Sequence, residues 1–245
     1  MTDHPLDLRP HEVRASLDGR LSLIVRPLKP QPWNPERESD PDFEGWKSHE
    51  VFQNQCRRGM MSHVFGIGTT LWCREAWRVG AWHYNNATVA LDYVDGPRKE
   101  WLEVDDIDQF HRLLNQSHEN MRRAGVSLSD LGYRETLWRP SITLPRWASR
   151  LTLTVKGVDV KRVQEIGEKE AVEAGVTLCP HRRPDYRVEL PTPNYLGADA
   201  VDANKARSCF KSLWNAAHGP DAWDRNPWCA FYSVTIHPTN IDMEG

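Results

Sequence analysis

The 245-residue chain has no run approaching the ~20 consecutive apolar residues that a membrane span needs. Its opening segment, MTDHPLDLRPHEVR, lacks the apolar core of a secretory signal. No excess of one charge is present either: 31 Lys and Arg against 34 Asp and Glu give a formal net charge of −3. That balance argues against coating duplex DNA, which needs many cations on one face, and leaves room for a local basic pocket. Cysteine is sparse, with five residues at 56, 73, 179, 209 and 229. The count is odd and no C-x-x-C occurs, so a disulfide framework is not expected and a reduced, cytoplasmic setting is. Missing too are a phosphate-cradling G-x-x-x-x-G-K, a dinucleotide G-x-G-x-x-G, H-E-x-x-H and G-x-S-x-G. Gly66-Ile67-Gly68 is an ordinary turn. Cys179-Pro180-His181 offers two ligands where tetrahedral zinc takes four, so neither metal nor cofactor is expected.

What is present is ordinary globular composition, 39% hydrophobic and 27% charged, with 11 tryptophans. Tryptophan serves cores and stacking sites alike, and most of these read as core. Residues 10–18 read as a helix, with Pro10 at its first position, Val13 and Leu17 four apart, and Gly19 as the stop. Strands are expected at 21–26, 70–75, 88–94, 151–160 and 229–236. Cys73 and Cys229 fall within apolar strand runs, as buried thiols do. Helical spacing recurs over 105–123, 161–174 and 202–218. The last carries a stripe of Ala203, Ala206, Phe210, Leu213, Trp214 and Ala217.

Few helices around about five strands suggest a mostly β (α+β) fold: a small barrel with peripheral helices and helical insertions. One domain over 5–237 is expected, with a frayed tail at 238–245. Three segments read as additions: a loop at 38–64, a helical element at 97–136 and a Pro-rich loop at 180–200. The 97–136 element either forms a partner surface or covers an open sheet edge.

WRPSITLPRWASR at 138–150 stands out, with two Trp, three Arg and two Ser stiffened by Pro140 and Pro145. Arginine and indole together stack a base and pair a phosphate. The same residues also suit a structural loop whose arginines pair with Glu75 or core aspartates.

With that segment in view, the chain resembles a phage and prophage branch of the ASCH proteins, within the PUA-like superfamily. The resembling pieces are the N-terminal helix with Gly19, Arg20 and Arg26, then KPQPW at 29–33, GTTLWCREAW at 68–77 and WRPSITLPRWASR with its strand at 138–155. VQEIGEKEAVEAGV at 163–176 and FKSLWNAAHG with WDRNPWCAFYSV over 210–234 complete the set. The resemblance implies a pseudo-β-barrel with a cleft, and a nucleotide, modified nucleobase or single-stranded RNA as ligand. It implies a bacterial cytoplasm as the place of action and allows a host protein as partner.

Some small ASCH proteins deacylate N4-acetylcytidine, and are similar in using a G-x-K-x-x-T-x-R segment and a helix Glu. Here the Lys position holds Leu21, the Thr position Ile24 and the Glu position Ala174. Leucine, isoleucine and alanine side chains neither attack nor move protons. The expectation is therefore binding without the family amidohydrolase activity. Arg26, Arg74, Arg146 and Arg150 are the candidate donors to phosphate or base edges, with Ser141 beside them and Trp72 or Trp147 stacking. A relocated amidohydrolase would use Glu75 or Glu173 as acid or base, and Ser22, Ser141 or water as nucleophile.

Overall fold

The computed structural model describes residues 3–29, 31, 64–96, 100–126, 136–178, 186–191 and 198–243. Among these the fold is mixed, with eleven strands in three sheets and four α-helices. The central sheet holds β1 (Asp3–Asp7), β2 (Leu23–Pro27), β3 (Thr70–Arg74), β7 (Thr152–Arg162) and β11 (Trp228–His237), in the order β1-β3-β7-β11-β2. A second sheet orders β4 (Trp77–His83), β5 (Thr88–Tyr93) and β6 (Glu100–Glu103). The third orders β10 (Ala198–Ala203), β9 (Tyr186–Pro191) and β8 (Thr177–Leu178). None of the three closes on itself among the described residues.

Alternation along the central strands explains why this sheet is covered on both faces. In β2, Ile24 enters a core with α1 (Pro10–Leu17), while Leu23 and Val25 enter the opposite core. That second core is built with α3 (Glu168–Glu173) and α4 (Ala206–His218). α1 forms where expected: Pro10 opens it, Glu12 accepts from the Arg9 backbone N–H at 2.9 Å, and Gly19 follows at φ +67°. β7 and β11 pair along ten register positions with a shift at Ser233/Val234.

The second sheet is backed by α2 (Ile107–Arg123), which lies within the expected 105–123. Its buried Phe110, Leu113 and Leu114 share a third core with β4 and β5 residues, and Met121 is buried further along the helix. An apolar stripe turned inward makes this helix a cover for the sheet. No described helix is long and apolar enough to cross a membrane.

Several expectations are corrected. Residues 161–174 are not one helix: β7 runs to Arg162, a 3-10 turn covers Val163–Glu165, and the helix spans only Glu168–Glu173. Pairing of Arg162 with Trp228 extends the strand past the point where local periodicity ended it. Residues 180–200 are not simply a loop, because Tyr186–Pro191 and Ala198–Ala203 pair antiparallel. β4 escaped notice because Gly80 interrupts its pattern; the register shifts there, between Val79 and Ala81. β1 escaped because Pro5 sits in it, a place tolerated on a sheet edge. Ala203 belongs to β10 and Ala217 is exposed, so the stripe on α4 is shorter than read. The 238–243 stretch is tied down, with Asn240 donating to the carbonyls of Arg146, Trp147 and Ser149. Cys73, Cys209 and Cys229 are buried, and burial raises the Cys73 and Cys229 thiols. The expected loop at 38–64 lies outside the described residues except for Val64, as do Cys56 and the Cys179-Pro180-His181 trio.

Candidate functional site

The first turn of α1, the end of β3 and the end of β5 converge on a cavity of about 50 Å³. Leu8, Pro10, Val13, Ala76 and Val94 supply its apolar wall, and Glu75, Asp95 and Ser141 its polar one. Its volume lies below the roughly 300–1,000 Å³ of an ordinary ligand cleft, so it admits a functional group rather than a whole ligand.

Asp95 is the distinctive wall residue. Arg14 approaches its Oδ1 at 3.1 Å. Its Oδ2 is buried and has no hydrogen-bond partner among the described residues. Burial raises its carboxyl above the ordinary range, against the opposing charges of Arg14 and Arg150. Beside it, Glu75 is only 4% exposed and accepts from Arg150 Nε and Nη2, each at 2.7 Å. Arg150 Nη2 also donates to the Asp95 carbonyl oxygen at 2.8 Å, linking the two acidic residues.

None of the four candidate arginines is among the residues lining the cavity. Each is engaged by carboxylates of the chain. Arg26 donates Nη1 and Nη2 to the two oxygens of Glu12, at 2.6 and 2.8 Å. Burial would raise the Glu12 carboxyl, yet the charge and hydrogen bonds of Arg26, helped by Arg9 and His11, hold it at about 2. Arg74 binds Asp7 through Nε at 3.0 Å and Nη2 at 2.9 Å. Arg146 binds Asp242 at 2.7 Å and also contacts Asp3, and these hydrogen bonds raise its pKa. Arg150 is held by Glu75. A guanidinium spent on a bidentate carboxylate has fewer donors left for phosphate. Arg26 and Arg74 also meet at Asp7, whose carbonyl oxygen accepts from Arg26 Nη2 at 2.8 Å.

The remaining candidates disperse. Trp72 is half-buried under the Arg74 guanidinium, 5.8 Å from its ring centroid. Trp147 packs against the third core, and its buried Nε1 finds no partner among the described residues. Glu173 pairs with Lys169 at 3.4 Å, and its carbonyl accepts from the Ser22 N–H, away from the cavity lining. Of the candidates, Glu75 and Ser141 line the cavity, and Arg150 is joined to it through Glu75. Leu21 and Ile24 lie in the first core and Ala174 in the second.

Sequence reasoning missed Asp95 and Arg14. Asp95-Gly96 was legible only as the end of a strand. Arg14 lies four residues after Pro10, on the same face of α1, which was the one available signal. Among the described residues no three His, Cys, Asp or Glu side chains group as a metal site. Comparison with protein-family models, with curated proteins and with solved structures gave no match to this chain.

Proposed function

We propose that this chain is a binding protein of the ASCH/PUA-like kind that receives the amino edge of a nucleotide, a modified nucleobase or single-stranded RNA at the Asp95 cavity. The observation that carries the reading is that Asp95, a residue of the cavity wall, keeps a buried Oδ2 without a partner among the described residues. A buried acceptor without a donor costs on the order of 1–3 kcal/mol, which a ligand N–H would recover. Ser141 adds a hydroxyl that donates or accepts on the same wall. Because Arg26, Arg74, Arg146 and Arg150 are engaged by carboxylates, this site recognises a base edge rather than a phosphate. The central sheet with α1 across one face corresponds, in this reading, to an opened PUA-like barrel. The site lacks the family amidohydrolase groups.

A thermal-shift comparison of cytidine, adenosine, uridine, cytidine monophosphate and a short single-stranded RNA tests this. Amino-bearing nucleosides should stabilise the protein, by about 2.7 kcal/mol at 100 times Kd, and uridine should not. Asp95→Ala should abolish the shift. An equal shift in that variant, or none with any probe, would overturn the reading.

One observation favours a second reading, an amidohydrolase with relocated groups. The raised Asp95 carboxyl shares its wall with the Ser141 hydroxyl, an acid or base beside a nucleophile. Acetate release from N4-acetylcytidine, lost in Asp95→Asn, would establish it.

A further inference from the structure

We propose that Arg9, Lys29 and His218 form a second site, for a phosphate group, at the C-terminal end of α4. It is independent of the Asp95 cavity and carries the opposite charge.

Arg9 is the residue before α1, and its guanidinium crosses to α4. Arg9 Nη2 lies 2.6 Å from His218 Nε2, and its guanidinium carbon lies 6.0 Å from the Trp214 ring centroid. A guanidinium only donates, so this nitrogen of His218 must be unprotonated. A histidine at a helix C-terminus ordinarily gains by carrying a proton near the free carbonyls. Here Arg225 Nη2 takes the His218 carbonyl at 3.3 Å instead.

The surroundings of His218 are short of negative charge. From α1 it faces Arg9 and Glu12, from β2 and the residues after it Arg26 and Lys29, and on its own carbonyl Arg225. Glu12 is the one carboxylate of this set, and both its oxygens are taken by Arg26. Among the described residues Arg9, Lys29 and Arg225 have no ion-pair partner. Burial, then repulsion from Arg9, Arg26 and Lys29, pushes His218 down to about 4. Burial, then Arg26, pulls Arg9 down to about 10.

An oxyanion completes this pair: the proton His218 gains goes on Nε2, so the Arg9 contact opens and the Arg9 and His218 N–H groups both turn to the anion. Phosphate suits it, because several oxygens must serve Arg9, His218 and the exposed Lys29 together. The indole of Trp214 lies beside Arg9 and His218, its ring 4.2 Å from that of His218. Anion binding and protonation of His218 must then favour each other, since binding that prefers the protonated form raises its pKa by linkage.

The test is an NMR titration of the histidine ring signals in the intact protein, in chloride and in inorganic phosphate at equal ionic strength. Sulfate, whose charge is constant over the pH range, serves as a second probe. The His218 pKa should rise by about one unit or more in either oxyanion. Lys29→Ala, an exposed substitution, should weaken binding by roughly 10-fold, as should Arg9→Gln. Asp95→Ala should leave it unchanged, which separates this site from the cavity. Cytidine monophosphate binding here, with cytidine silent, would assign the phosphate to a nucleotide; response to inorganic phosphate alone would assign it to the free ion. A His218 titration identical in chloride, phosphate and sulfate would overturn the proposal, as would undiminished binding in Lys29→Ala.

Discussion

Glu75 and Arg150 meet end to end across 75 positions of sequence, two nitrogens against two oxygens at 2.7 Å each. The Arg150 guanidinium also lies 4.2 Å from the Tyr93 ring centroid. Their side chains are 6% and 10% exposed. This pair ties the end of β3 to the segment entering β7, and its Glu75 lines the cavity. Glu75→Gln would leave Arg150 charged, largely buried and without its carboxylate. The expected cost is about 3 kcal/mol, read from the midpoint of urea unfolding. A change under about 1 kcal/mol would show that water reaches and solvates the pair.

Arg146 behaves differently from the expectation its sequence raised. It lies on the surface, paired with Asp242 and Asp3. Arg146→Ala should shift the melting temperature by no more than about 3 °C and leave nucleoside binding intact. Loss of binding in a folded Arg146→Ala protein would return the ligand to the 138–150 segment.

His11 is buried in α1, and burial holds its pKa at about 4. An unfolded histidine titrates near 6.5, so the unfolded chain binds the extra proton between about 6.5 and 4. Stability should therefore fall as pH drops through that window, by ~3 kcal/mol from His11 alone. The loss should shrink in His11→Gln, measured by denaturant unfolding at pH 7 and pH 4.5. Glu12, held at about 2, keeps its ion pair with Arg26 throughout that window and loses it only at lower pH.

Gly175 ends α3 at φ +103°, where a Cβ would stand 3.2 Å from both Cδ2 and the carbonyl oxygen of His11. Gly125 follows α2 at φ +73° with nothing within 4 Å of its added Cβ. Both glycine-to-alanine changes incur backbone strain of about 1 kcal/mol. Gly175→Ala should cost more, by about 1 kcal/mol, because the backbone oxygen of His11 has little freedom to retreat. Equal losses in the two variants would show that α1 shifts freely against α3.

Much of the fold could be read locally. Pro10, the Val13–Leu17 spacing and Gly19 mark α1 within a residue of its observed end. The apolar spacing of Phe110, Leu113, Leu114 and Met121 places α2 equally well. β2, β3, β5, β7 and β11 all lie where short apolar runs placed them. β4 and β1 were lost to one glycine and one proline, because local propensity registers the breaker and not the partner strand that overrides it.

The candidate site was less legible. Composition singled out Arg146 and Arg150 in the 138–150 segment, and the resemblance added Arg26 and Arg74; in the structure each of the four holds an ion pair. Their partners, however, lie 14, 67, 96 and 75 positions away. Helical and strand periodicities are properties of neighbouring residues, so they are written in the sequence. Which carboxylate meets which guanidinium depends on how distant segments are brought together, and only the folded chain decides that. The same holds for Asp95. Its sequence neighbourhood is a turn like any other, and burial against α1 is what leaves its Oδ2 without a partner.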